Sequence, residues 1–98
     1  MQLEPEQHTQ IELFASRAFK VRDIAIILGV SPDELEIEFT NETSPAFLSF
    51  ERGRLKAMLD LRNNIYSSAI SGSAPAQSEM DSLFKSQYAN LKTINPDA

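Results

Sequence analysis

Apolar residues recur at helical spacing along nearly the whole chain, and no convincing period-2 run interrupts them. The first stripe, Ile11, Phe14, Ala15, Ala18 and Phe19, follows the i, i+3, i+4, i+7, i+8 rule and predicts a helix over about residues 6 to 19. Its start is open. Thr9 with Glu12 suits a late capping box, while Pro5 suits the first turn of an earlier start. A short helix is predicted over about 22 to 28 and stops at Gly29, the residue best able to take the left-handed conformation. Ser31-Pro32-Asp33-Glu34 then combines a capping serine, a first-turn proline and a carboxylate at the capping-box position. The helix it opens should reach Phe39 or Thr40, with Leu35 and Phe39 on one face.

After the connector Thr40-Asn41-Glu42-Thr43, Ser44-Pro45 repeats the cap-plus-proline signal. It opens a long helix to about Ser71, stopped by Gly72 and about 39 Å long at the standard rise per residue. Ser73-Ala74-Pro75 opens a last helix to about Leu91. Its stripe of Ala76, Met80, Leu83, Phe84, Tyr88 and Leu91 should lie back against the long helix, and the tail from Lys92 to Ala98 is expected to fray. The expected fold is all-α with about five helices: an N-terminal trihelical helix-turn-helix head over 1–44, then a long helix and an antiparallel helix over 45–98.

The helix-turn-helix reading rests on Ile24-Ala25-Ile26-Ile27-Leu28-Gly29-Val30-Ser31-Pro32-Asp33-Glu34-Leu35. Ala25 is small where the next helix crosses, Gly29 permits the turn, Val30 plugs the corner, and Leu28 with Leu35 fills the core below. The alternative is an ordinary helix corner with a glycine stop. Along the long helix, Phe47, Leu48, Phe50, Leu55, Met58, Leu59, Leu61, Ile65 and Tyr66 cover more than one face. Either one chain absorbs that breadth or a second subunit covers part of it. Gly53 costs about 1 kcal/mol inside a helix, which a close helix crossing would justify; the alternative is a local kink.

Charge complicates a nucleic-acid role. The net charge is −5, with six acids and no cation between Asp23 and Glu42, whereas phosphate binding favours a basic surface. The exposed start of the second helix of the motif should offer Arg, Lys, Asn, Gln or Ser to base edges. It holds Asp33, Glu34, Glu36 and Glu38 instead, a face better suited to a protein partner. The candidate DNA contacts are therefore Arg17, Lys20 and Arg22, or Arg52, Arg54, Lys56 and Arg62 on the long helix, each set also readable as ordinary solvated charge.

Other chemistry is not expected. There is no cysteine, the three glycines are not grouped as a phosphate loop, and the acid pairs have no histidine or lysine beside them. His8 should be an exposed histidine without special function, and Phe47, Phe50 and Tyr66 should pack rather than stack on bases. No catalytic residue, metal or cofactor is expected. No run reaches the roughly 20 apolar residues of a membrane span, and Met1 to Glu6 lacks the pattern of a secretory signal, so a cytoplasmic, soluble protein is expected.

The order of elements, with Leu28-Gly29-Val30-Ser31, Gly53-Arg54-Leu55-Lys56, Leu61-Arg62 and Ala69-Ile70-Ser71-Gly72-Ser73-Ala74-Pro75-Ala76-Gln77, resembles terminase small subunits, the DNA-packaging proteins of tailed phages and prophages. The resemblance covers about residues 20 to 85. It implies a non-enzymatic, oligomeric DNA-recognition or adaptor protein that hands DNA to a large packaging ATPase and nuclease subunit. The acidic recognition helix departs from the polar or basic one that the resemblance implies. Two other functions suit the same residues: a helix-turn-helix transcription regulator, and an interaction module using the acidic helix.

Overall fold

The computed structural model of the chain describes residues 1–94 and is all-helical over them, with five α-helices. They are α1 (Pro5–Ala15), α2 (Val21–Leu28), α3 (Pro32–Glu38), α4 (Pro45–Ile70) and α5 (Ala74–Ile94). Of the tail expected to fray, Lys92 to Ile94 continue α5, and 95–98 lie outside the described residues.

Local signals explain most of the boundaries. Pro5 takes the first turn of α1, and Glu4 and Gln7 form the capping box, Glu4 N–H donating to Gln7 Oε1 at 2.8 Å. The early start therefore holds, and the Thr9 hydroxyl instead donates back to the Pro5 carbonyl at 3.2 Å. Ser31 Oγ accepts from Glu34 N–H, Ser44 Oγ from Phe47 N–H and Ser73 Oγ from Ala76 N–H, each at 3.3 Å. Gly29 (φ 76°) and Gly72 (φ 103°) adopt the left-handed conformation at the ends of α2 and α4. The residue after each reaches back across the last turn, Val30 N–H to Ala25 O and Ser73 N–H to Ser68 O, both at 3.0 Å.

The end of α1 departs from the expected position. The helix stops at Ala15, not near residue 19, because Ala18 turns to φ 68° and Phe19 N–H bonds Phe14 O. Ala18 and Phe19 thus leave the buried stripe, and Phe19 stays exposed with its ring edge-on to Phe14 at 5.8 Å. The physical reason is tertiary. Lys20 must enter α2 in an extended conformation for Ile24 and Ala25 to reach the core, so the chain has to reverse within residues 16–20.

The chain divides into two compact units, Met1–Leu59 and Asp60–Ala98, and the division falls inside α4 instead of before it. The first half of α4 belongs with the head because Ala46, Ser49 and Gly53 are buried there. The head core consists of Ile11, Ile24, Ala25, Leu35 and Ala46, with Phe14, Leu28, Val30, Phe39 and Phe50 packed against it. Ile11, Ile24 and Leu35 are fully buried, each worth about 1.5–3 kcal/mol of hydrophobic stabilisation. Phe39 meets Phe47 and Phe50 edge-on, at 5.8 and 5.3 Å between ring centroids, so these rings serve packing. His8 is half-buried, its Nδ1 lying 3.5 Å from the Ser49 hydroxyl, and the exposed histidine expected from the sequence is corrected accordingly.

The second unit holds the end of α4 and the described part of α5, joined by the Gly72 turn. Gln77 Nε2 donates to the Ala69 carbonyl at 3.0 Å across that turn. Ala76, Met80 and Leu83 are half-buried, but Phe84, Tyr88 and Leu91 are exposed, so the expected stripe covers only the start of α5.

Candidate functional site

Among the described residues no group of histidine, cysteine or carboxylate side chains could hold a metal ion, and no helix is long and apolar enough to cross a membrane. Two surfaces of the described residues stand out.

One is the outer face of α2 and α3. Leu35 points into the core, which sends Asp33, Glu34, Glu36 and Ile37 to solvent around a helix of only seven residues. Glu38 lies half-buried, and its carboxylate is 3.7 Å from the Met1 ammonium, so it leaves the acidic face proposed from the sequence. Arg22 on α2 spans the two helices, with Nη1 donating to Asp33 Oδ1 at 3.1 Å and to Glu36 Oε1 at 3.3 Å. Those two hydrogen bonds, Asp33 first and Glu36 second, raise the guanidinium pKa above its ordinary value. On the stripe one turn beyond Arg22 stands Ile26, 63% exposed, and one turn beyond Asp33 stands Ile37, 68% exposed. Ile27 is exposed beside them on α2.

The basic candidates are distributed unevenly. Arg22 is held by its two acids. Glu12 on α1 takes both Lys56 Nζ at 3.1 Å and Arg52 Nη1 at 3.5 Å. Arg54 forms a two-pronged bridge to Glu51 at 2.9 and 3.0 Å, and Arg54 chiefly holds the Glu51 carboxyl below its ordinary range. Among the described residues Arg17, Lys20 and Arg62 have no carboxylate partner; Arg17 and Lys20 flank the reversal between α1 and α2, while Arg62 lies in the second unit. Each of the two groups read from the sequence thus mixes paired and unpaired cations. Four of the seven cations are engaged by acids of the same head.

The other surface is the second unit, in which no described residue is buried. Leu61, Tyr66, Ile70, Phe84, Tyr88 and Leu91 are each at least half exposed. A groove of about 580 Å³ runs between Arg62 and the α5 residues Met80, Leu83, Phe84, Gln87 and Asn90. Residues 60–94 balance Asp60, Glu79 and Asp81 against Arg62, Lys85 and Lys92, so this apolar surface carries no net charge.

Sequence reasoning missed the exposed isoleucines and the engagement of the cations. Ile37 was legible, because it stands two residues from Leu35 and so about 200° around the helix. Glu12 as a clamp for two cations was not, since it needs α1 and α4 to cross at that residue. No family model matches this chain, and neither a curated protein nor a solved structure gives a significant match to it.

Proposed function

We propose that this chain is a non-enzymatic, self-assembling helix-turn-helix protein of the terminase small-subunit type, acting in the cytoplasm as a DNA-packaging recognition or adaptor factor. The observation that carries the reading is the second unit, whose described residues expose seven large apolar side chains, Ile94 among them, and bury none. Apolar surface of that extent on a small unit is normally covered by a partner, and a net charge of only −1 over residues 60–98 leaves little repulsion between like copies. In this reading the residues after Leu59 bring copies together and the heads are displayed.

DNA contact in the head falls to Arg17 and Lys20, the head's candidate cations without an acid partner among the described residues, because Asp33, Glu34 and Glu36 repel phosphate from α3; Arg62 is a separate candidate in the second unit. Repeating a modest basic site around an assembly makes it effective through multivalency, even on an acidic chain. A large packaging ATPase is the partner that the resemblance suggests. A transcription regulator reading major-groove bases through α3 is less compatible with those acids.

The test is solution mass by light scattering, with binding to random duplex at low salt. A concentrated sample that stays monomeric overturns the assembly, and absence of duplex binding by the assembled protein overturns the DNA role.

A further inference from the structure

We infer that the outer face of α2 and α3 is a docking surface for a basic amphipathic segment of another protein. This inference is independent of assembly through the second unit. The face joins two features that one partner chemistry satisfies together. Ile26, Ile27 and Ile37 are more than half exposed on helices that already bury Ile24, Ala25 and Leu35 on their other side. They are interleaved with Asp23, Asp33, Glu34 and Glu36, all exposed and all acidic. An apolar stripe flanked by lysines or arginines would cover the isoleucines and meet the carboxylates, supplying both an apolar centre and a charged rim.

Other occupants fit less well. Duplex DNA and an anionic membrane are repelled by the same acids, and Arg22, the one cation between Val21 and Phe39, is already shared by Asp33 and Glu36. A second copy bringing the same face would set acid against acid. A second copy bringing α4 would offer Arg52, Arg54 and Lys56, which are bound to Glu12 and Glu51.

The experiment titrates the full chain into a fluorescently labelled synthetic peptide of leucines and lysines, amphipathic as a helix. A shuffled peptide of the same composition, random duplex and vesicles of anionic lipid serve as competitors. Saturable binding is expected with one peptide per head, weakened about tenfold by Ile26→Ser with Ile37→Ser, and about as much by Glu34→Gln with Glu36→Gln. Arg22→Gln is expected to tighten binding about threefold, since it removes the one opposing charge, whereas a merely structural arginine would weaken it. Leu13→Ser, at an exposed apolar position on α1, is expected to leave affinity unchanged. Amide shifts in the wild-type protein provide a readout that needs no variant, and are expected within residues 22–37. Equal binding of the shuffled peptide, tighter binding of duplex or vesicles, or shifts confined to residues 60–94 would each overturn the inference. None of these readings depends on solution mass, so failure here is distinguishable from failure of the assembly.

Discussion

Gly53 of α4 lies directly against the backbone of Glu12 on α1: a Cβ at position 53 would stand 2.8 Å from the Glu12 carbonyl carbon and 3.0 Å from its Cα. The same Glu12 binds Arg52 and Lys56 on either side of the glycine through its carboxylate. Main chain and side chain of one residue thus hold α4 at a single height on α1, so the glycine serves a close crossing.

Gly53→Ala is expected to destabilise the head by about 3 kcal/mol or more, because the methyl meets backbone that cannot move aside. At an uncrowded helix position the same change stabilises by about 1 kcal/mol, so the sign discriminates. Urea unfolding followed by circular dichroism measures it, and a stabilised variant would show that the crossing is looser than described.

Ala18→Gly is expected to act in the opposite direction. Ala18 holds a left-handed backbone (φ 68°) that a Cβ disfavours by about 1–2 kcal/mol, and glycine recovers part of this against its greater unfolded-state entropy. The net expectation is a gain of about 0.5–1 kcal/mol in the same unfolding measurement. No gain would mean that residues 16–20 can reverse without that conformation.

Phe84→Ser with Tyr88→Ser replaces two exposed rings on adjacent turns of α5. If these rings are covered by another copy, the double variant lowers the solution mass to that of the monomer and leaves the unfolding of the head unchanged. An unchanged mass would locate the association elsewhere.

Acid affects the Arg54–Glu51 pair in a defined direction. The hydrogen bond from Arg54 lowers the Glu51 carboxyl pKa, against partial burial, which raises it. Its contribution is therefore present above the ordinary carboxylate value of 4.5 and is lost as pH falls through the lowered folded value. The pair is partly exposed, so solvent screening keeps the effect below about 1 kcal/mol. Arg54→Gln is expected to bring the Glu51 titration, followed by its carboxyl carbon resonance, up toward the ordinary value. A titration that does not move would assign the lowering to some other group.

Much of the architecture was readable along the chain because it depends on short-range chemistry. Ser31-Pro32, Ser44-Pro45 and Ser73-Ala74-Pro75 start helices by capping their own first turns, and Gly29 and Gly72 end helices by adopting a conformation that other residues resist. Five helices, their order, and the burial of Ile11, Ala25 and Leu35 follow from those signals and from helical periodicity. The early stop of α1 at Ala15, the division inside α4, the half-buried His8 and the pairing of Glu12 with two cations 40 and 44 residues away did not follow. Each depends on where one helix crosses another, and neither periodicity nor capping contains that distance. The acidic character of α3 was a property of the sequence alone, as was the neutral, apolar composition of residues 60–94. Only the tertiary structure decided which of those side chains remain uncovered, because exposure is settled by what packs against the opposite face: Leu35 in the core leaves Ile37 outside, and no described residue beyond Leu59 reaches burial.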